Sequence, residues 1–219
     1  KYFIHVEVGD GSNTTRFYSP VPVLIGPYVP APRLAPAKLD FDGDGRSDPV
    51  VYRMNSALKK VKVGRKTTYQ TVYSGNYFVN NSTAGSVSVP WGDNNYSPVV
   101  MDQDGDDRAD LGLVIPTAGN ALMWWVRRSV DGVTYGRTFG VRGDVLVSGD
   151  YNGNGRDEIA IFRGGLWYVL NESDQVSMVG WGAPGDIPVP VDYDGDVKTD
   201  CAIFRPSDRT WWILYSGYS

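Results

Sequence analysis

The sequence predicts an all-β fold in which about four repeated units follow an N-terminal β-hairpin. Three observations carry that reading. A nine-residue acidic pattern recurs four times in 219 residues, and each copy is followed by an apolar run of strand length. The 26 glycines, 14 prolines and 13% aromatic residues suit short strands joined by many turns. No helical period of useful length stands out.

The pattern is clearest at Asp192-Tyr193-Asp194-Gly195-Asp196-Val197-Lys198-Thr199-Asp200. In every copy oxygen-bearing side chains stand at positions 1, 3, 5 and 9, and glycine stands at position 4. The first copy supplies Asp40, Asp42, Asp44 and Asp48; the second supplies Asp102, Asp104, Asp106 and Asp110. The third supplies Asp150, Asn152, Asn154 and Glu158, and the fourth Asp192, Asp194, Asp196 and Asp200. A glycine-tightened loop with a side-chain oxygen at every second residue has the chemistry of a hard-cation cage. The backbone carbonyls of Arg46, Arg108, Arg156 and Lys198, at position 7, would complete it. Ca2+, which takes six to eight oxygens at about 2.3–2.6 Å, is the ion expected, up to four in all and in a structural role. Polar turn structure would account for one such loop but not for four in register. The third copy, with two neutral oxygens and a longer carboxylate, is expected to bind most weakly.

The units extend past the loops. Apolar runs follow at Pro49–Arg53, Leu111–Pro116, Ile159–Arg163 and Cys201–Pro206, and tryptophan-rich segments at Met123–Val126, Leu166–Val169 and Trp211–Leu214. Before the fourth loop, Trp181-Gly182 leads into a Pro/Val run. These features resemble the FG-GAP/VCBS class of calcium-binding β-propeller repeats, which includes the integrin α-subunit propeller. The resemblance covers roughly residues 36–219. It implies about four propeller-like four-stranded blades, each with its calcium loop between the first and second strands. It implies no single activity, because such propellers serve adhesion, recognition and secreted enzymes. A small closed propeller is the first reading; an open array of blades and a piece of a larger propeller are the alternatives.

In chain order, residues 2–8 alternate apolar and polar, a Gly/Asp/Ser/Asn turn follows, and residues 16–25 are extended again. Residues 1–26 therefore read as a β-hairpin, similar to the last two strands of a fibronectin type III domain. A lone hairpin is marginal in water, so it must pack on another surface. Pro27, Pro30, Pro32 and Pro36 mark residues 27–36 as a semi-rigid linker, and residues 37–219 as the repeat domain. The first two loops start 62 residues apart, against 48 and 42 for the later intervals, so the first unit carries an insertion, placed at Gly64 to Ser86. Leu58–Val63 and Thr68–Ser74 are expected there as further strands. Lys59, Lys60, Lys62, Arg65 and Lys66 read as a solvated edge protected from aggregation. The second unit spans about Asp93 to Gly140 and the third runs to Gly182. The fourth lacks the strand that carries Trp-Gly elsewhere, which leaves an edge open to pairing, either with the N-terminal hairpin of the same chain or with that of a neighbour.

Composition excludes several functions. The formal charge of −4 is concentrated in the loops, which hold more than half of the 25 acidic residues, and no basic stripe supports a nucleic-acid partner. No apolar run approaches the ~20 residues of a membrane span. The single histidine, His5, lies on a strand of the hairpin, and no nucleophile elbow, Walker loop or dinucleotide fingerprint occurs, so no catalytic residue is assigned. Cys201 reads as a small buried hydrophobe. Trp124, Trp125, Trp167, Trp211 and Trp212 read first as packing between units and second as ligand-stacking residues on glycans. Carboxylate loops without EF-hand helices suit a calcium-rich location, secreted or at the cell surface. The start at Lys1 suggests that a leader or upstream domain precedes it, and sequons at Asn13, Asn80, Asn81 and Asn171 fit a surface protein. The expected function is an extracellular, calcium-stabilised structural or adhesive module. It would associate with itself or another surface protein, as a fibre subunit joined head-to-tail by strand complementation. A carbohydrate-binding propeller and an accessory domain of a secreted hydrolase are the alternatives.

Overall fold

In the computed structural model, residues 5–9, 14–18, 39–64, 66–93 and 96–218 are described. The proline-rich linker and the first strand expected of the first unit lie outside them. The chain divides into two compact units, residues 1–34 and 35–219. In the first, β1 (His5–Gly9) pairs antiparallel with β2 (Thr14–Tyr18), as the alternating pattern of this segment predicts.

The second unit is all-β and consists of four small antiparallel sheets. Sheet I contains β3 (Val50–Val63), β4 (Lys66–Asn81) and β5 (Gly85–Pro90). Sheet II contains β6 (Ser97–Met101), β7 (Asp110–Pro116), β8 (Ala121–Arg127) and β9 (Thr134–Val141). Sheet III contains β10 (Val145–Leu146), β11 (Ile159–Arg163), β12 (Leu166–Leu170) and β13 (Val176–Gly180). Sheet IV contains β14 (Ile187–Pro188), β15 (Cys201–Arg205) and β16 (Thr210–Leu214), then a single 3-10 turn, Ser216–Tyr218. Within every sheet the strands follow in sequence order, and in sheets II, III and IV the acidic loop joins the first strand to the second.

The insertion in sheet I is differently placed from the sequence expectation. β3 and β4 stay paired without interruption from Val50↔Val79 to Val63↔Lys66, so the extra length is a continuous two-stranded arm running out from the sheet. Residues 75–86 belong to the sheet proper and to its turn. Leu58–Val63 and Thr68–Ser74 are therefore continuations of two strands rather than new ones. The arm is largely solvent-exposed, and the lysines along it keep its edges wet, as expected for strands that no further sheet covers.

Period-2 alternation gives each sheet two faces, and three core clusters join the sheets in sequence. Tyr77 of sheet I packs on Leu111 and Leu113 of sheet II. From the opposite face of sheet II, Val114, Trp124 and Val126 pack on Ile159 and Ile161 of sheet III. From the opposite face of sheet III, Ala160, Phe162, Trp167 and Val169 pack on Cys201 and Ile203 of sheet IV. Among the described residues no core cluster joins sheet I to sheet IV. The Cys201 thiol lies in this core, where burial pushes its pKa up to about 12 and leaves it unreactive.

The tryptophan pairs follow the alternation. Trp124 and Trp167 are fully buried and donate their indole N–H groups to the Phe139 and Trp181 carbonyls, both at 2.8 Å. Neither can stack on a ligand, which corrects the glycan-stacking reading for these two residues. Trp125, Trp211 and Trp212 retain exposed surface.

A second periodic device is an arginine at the end of the second strand. Arg163 forms a bidentate pair with Asp144 (2.6 and 2.7 Å) and stacks over Tyr168. Arg205 does the same with Asp186 (2.9 and 2.8 Å) and Trp212. Each aspartate also accepts a backbone N–H of the turn before it, from Val141 or Ala183, so the pair fixes the entry of the first strand.

Candidate metal centre

The four acidic loops share one backbone conformation. Position 4 is glycine at φ +80°, +75°, +81° and +82° in Gly43, Gly105, Gly153 and Gly195, a region that side-chain-bearing residues rarely enter. Position 6 has the same requirement. Gly45 and Gly155 meet it, whereas Asp107 (+63°) and Val197 (+70°) are held there under strain. Replacing Val197 with glycine should therefore stabilise the fourth loop by about 1 kcal/mol, strain relief outweighing the added freedom of the unfolded chain. Urea denaturation of Val197→Gly in calcium checks this.

The conformation is held by the acidic side chains themselves. Asp40 accepts backbone N–H groups of Gly43 (2.6 Å), Asp44 (3.2 Å) and Gly45 (2.7 Å), and Asp102 and Asp150 repeat the arrangement with their own positions 4, 5 and 6. Asp192 accepts from positions 4 and 6, Gly195 and Val197. Position 9 accepts the N–H of position 2 in every loop: Asp48 from Phe41, Asp110 from Gln103, Glu158 from Tyr151 and Asp200 from Tyr193, all at 2.8–2.9 Å.

Positions 1, 3 and 9 converge. In Asp40/Asp42/Asp48, Asp102/Asp104/Asp110 and Asp192/Asp194/Asp200 one carboxylate oxygen from each residue lies within 4.8 Å of the others. Asp48, Asp110 and Asp200 are almost wholly buried. Both oxygens of Asp104 and Oδ1 of Asp42 are buried with no hydrogen-bond partner among the described residues. Carboxylates that converge in this way could hold a metal ion, and the orphaned buried oxygens of Asp42 and Asp104 lack the partner that burial normally demands. Position 5 is placed differently: Asp44, Asp106 and Asp196 accept the N–H of position 7 and a serine hydroxyl.

That serine was not legible as a site residue. Ser82, Ser129 and Ser216 follow β4, β8 and β16, donate the hydroxyl to position 5 and donate the backbone N–H to position 9. The available signal was their constant spacing, five residues after Tyr77, Trp124 and Trp211. In the third unit Glu172 occupies this place and accepts from Asn154 Nδ2 at 2.6 Å. Donor and acceptor are thus exchanged here, the position-5 side chain donating to the neighbouring turn where Asp44, Asp106 and Asp196 accept from it. Asn152 donates to Glu158, and this loop forms no three-carboxylate cluster among the described residues.

The loops are also joined to one another. The N–H at position 8 of one loop donates to the position-1 carbonyl of the loop before it: Ala109 to Asp40, Asp157 to Asp102 and Thr199 to Asp150, each at 2.6 Å. The position-7 side chain lies over the position-4 glycine of the preceding loop. A Cβ on Gly43, Gly105 or Gly153 would come within 2.8–2.9 Å of Arg108, Arg156 or Lys198. Glycine at position 4 therefore serves both the turn and this close approach.

Electrostatics among the loop carboxylates is unfavourable. Burial pushes Asp102 up to about 7, Asp110 to about 6 and Glu158 to about 7, and it also raises Asp104 and Asp200, which face neighbouring carboxylates. Asp42, which accepts from the Thr83 hydroxyl and neighbouring N–H groups, is lowered to about 2. Raised carboxylates bind more protons in the folded than in the unfolded state from about pH 4 to 7. Their contribution is complete below that window and lost as pH rises through it. In metal-free buffer the protein should accordingly be less stable at pH 7.5 than at pH 5, about the span of that window. Excess calcium should flatten or reverse the trend, and urea midpoints at the two pH values measure it.

No protein-family model matches the chain, and no match to it was found among curated proteins or solved structures. Among the described residues no helix is long and apolar enough to cross a membrane.

Proposed function

We infer that the chain is a calcium-stabilised structural or adhesive module that works outside the cell, secreted or at the cell surface. The observation that carries this is the joining of the acidic loops. Each of three loops gathers carboxylates that repel one another until a cation is present, and hydrogen bonds between loops pass along the sheets. Ion binding at such sites stabilises the folded state by mass action, by about 2.7 kcal/mol per site when free calcium is a hundredfold above Kd. A module built this way is rigid where calcium is plentiful and loose where it is scarce, which suits an extracellular position.

The sheet order, with the loop between first and second strands, supports the FG-GAP/VCBS reading and a propeller-like blade for each sheet. The linear order of contacts favours an open array over a closed ring. Among the described residues β16 is an edge strand of sheet IV, the kind of edge that strand complementation in a head-to-tail fibre would use. Antibody labelling of intact source cells, with and without a chelator, tests the reading. Surface labelling that the chelator disperses supports it, and labelling only after lysis contradicts it.

One observation favours the carbohydrate-binding alternative. A groove of about 480 Å³ is lined by Tyr73, Trp91, Tyr96 and Trp125, with Asp93 at its side. Aromatic faces beside a carboxylate are what a sugar ring meets in a binding site. Glycan-array binding that is lost in Trp125→Ala would establish it.

A further inference from the structure

One corner of the repeat is built differently at the internal junction between sheets I and II. In sheets I, III and IV the arginine five residues past the loop lies over an aromatic of the neighbouring strand. Arg53 lies over Phe78 at 5.5 Å, Arg163 over Tyr168 at 5.3 Å and Arg205 over Trp212 at 5.4 Å from the ring centroid. In sheet II Ile115 holds the arginine's place and Trp125 the aromatic's, and among the described residues no arginine covers that ring. The aspartate partner is replaced as well. Asp144 and Asp186 stand six residues before Asp150 and Asp192, whereas Tyr96 stands six residues before Asp102. Both members of the Arg–Asp pair that closes the later corners are therefore changed here at once.

What remains is the groove of about 480 Å³, against about 150 Å³ at the corner between sheets III and IV, where Arg205 lies beside Trp181 and Trp212. Four aromatic side chains line the larger opening, Tyr73, Trp91, Tyr96 and Trp125, and among the described residues Asp93 is the one charged group in its wall. The tryptophan is seated as a platform. Gly136, its cross-strand partner, makes room for the indole, since a Cβ there would come within 2.8 Å of the ring, and 38% of Trp125 stays exposed. The Tyr96 hydroxyl donates to Asp93 at 3.3 Å and ties the carboxylate to the aromatic wall. The lysines of the arm begin at Lys59, three residues beyond Ser56, the cross-strand partner of Tyr73. At strand spacing that is about 10 Å, more than the Debye length of about 8 Å at physiological salt.

We propose that this groove docks an arginine side chain of a protein partner, whose guanidinium takes the place that Arg163 and Arg205 fill in the later sheets. It stacks on Trp125 and pairs with Asp93, as Arg205 stacks on Trp212 and pairs with Asp186. A guanidinium is planar and weakly hydrated, so aromatic faces and a carboxylate together favour it over a strongly hydrated ammonium. A sugar ring would use the same aromatic faces but would have no need of the charge. The site concerns one corner of one junction and goes beyond the structural role above without depending on it.

Titration of the full chain in calcium with the peptide Gly-Arg-Gly, followed by NMR, provides the test, with Gly-citrulline-Gly as the uncharged isostere. Expected are saturable shifts of the Trp91 and Trp125 indole signals with the arginine peptide, and binding about tenfold weaker with the citrulline peptide. Asp93→Asn, at an exposed position where substitution leaves folding intact, should lose about as much. The double variant Tyr96→Asp with Ile115→Arg rebuilds the corner of the later sheets, so it should bind no peptide while keeping the parent's melting temperature. Absence of saturable shifts overturns the proposal, as does equal binding of the two peptides or binding that Asp93→Asn leaves unchanged. So does a groove that takes neutral oligosaccharides in place of the peptide, or one already filled, in the peptide-free protein, by an arginine from the first unit of the same chain.

Discussion

Trp167→Ala should lower stability by about 3–5 kcal/mol, the range for removing a large aromatic from a packed core. The side chain is fully buried between sheets III and IV, edge-on to Phe162 at 5.3 Å and Tyr151 at 6.4 Å between centroids. Its indole also satisfies the Trp181 carbonyl at the end of β13, so truncation leaves a cavity and an acceptor without its donor. Trp211→Ala is the control. It removes the same side chain from the same place in a sheet, but 52% of that side chain already faces solvent, so the monomer should lose about 1 kcal/mol or less. Urea denaturation of the two variants in calcium gives the comparison, and equal losses would contradict the arrangement of sheets described here.

The second large effect should come from Asp110. Its carboxylate accepts the N–H groups of Gln103 at 2.9 Å and Ser129 at 2.6 Å, and it contributes one oxygen to the cluster with Asp102 and Asp104. Asp110→Ala leaves two N–H groups without their acceptor and removes a candidate ligand, a loss of about 2–4 kcal/mol in calcium. Asp110→Asn separates the contributions. The amide oxygen retains one acceptor without the buried charge, so this variant should be near parental stability in metal-free buffer and fall behind once calcium is added. Melting temperatures of the three proteins with and without calcium decide the matter. An equal deficit for Asp110→Asn in both buffers would assign the residue to the turn alone.

How much of this was readable in advance depends on which groups carry the information. The acidic positions were legible because side-chain chemistry repeats at fixed spacing, and Asp110 or Asp200 can be named as core to a loop from the pattern alone. The alternation of Trp124 and Trp125 onto opposite faces was legible for the same kind of reason, since the strand period is fixed. The junction between loops was not legible, because its donors are backbone N–H groups of Ala109, Asp157 and Thr199, three residue types with nothing in common. The role of Glu172 escaped because it stands in the serine's place and accepts from Asn154, eighteen residues away in sequence. The arm of β3 and β4 was misplaced because nothing in residues 54–57 distinguishes a strand that ends from one that continues past its sheet. Arg163 and Arg205 recur at the strand ends, and their partners Asp144 and Asp186 each close a Gly-x-x-Gly-Asp turn (140–144 and 182–186), so this pairing carried a spacing signal in the sequence.

Scanning calorimetry of the full chain in metal-free buffer and in excess calcium addresses the central claim directly, since it asks whether the converging carboxylates hold a cation that the fold depends on. The account predicts a calcium-dependent rise of many degrees, because several sites each add stability through mass action to a domain where about 1 kcal/mol shifts the midpoint by roughly 2–4 °C. A melting curve unchanged by calcium would contradict it, and would leave the four loops as turns held by their own hydrogen bonds.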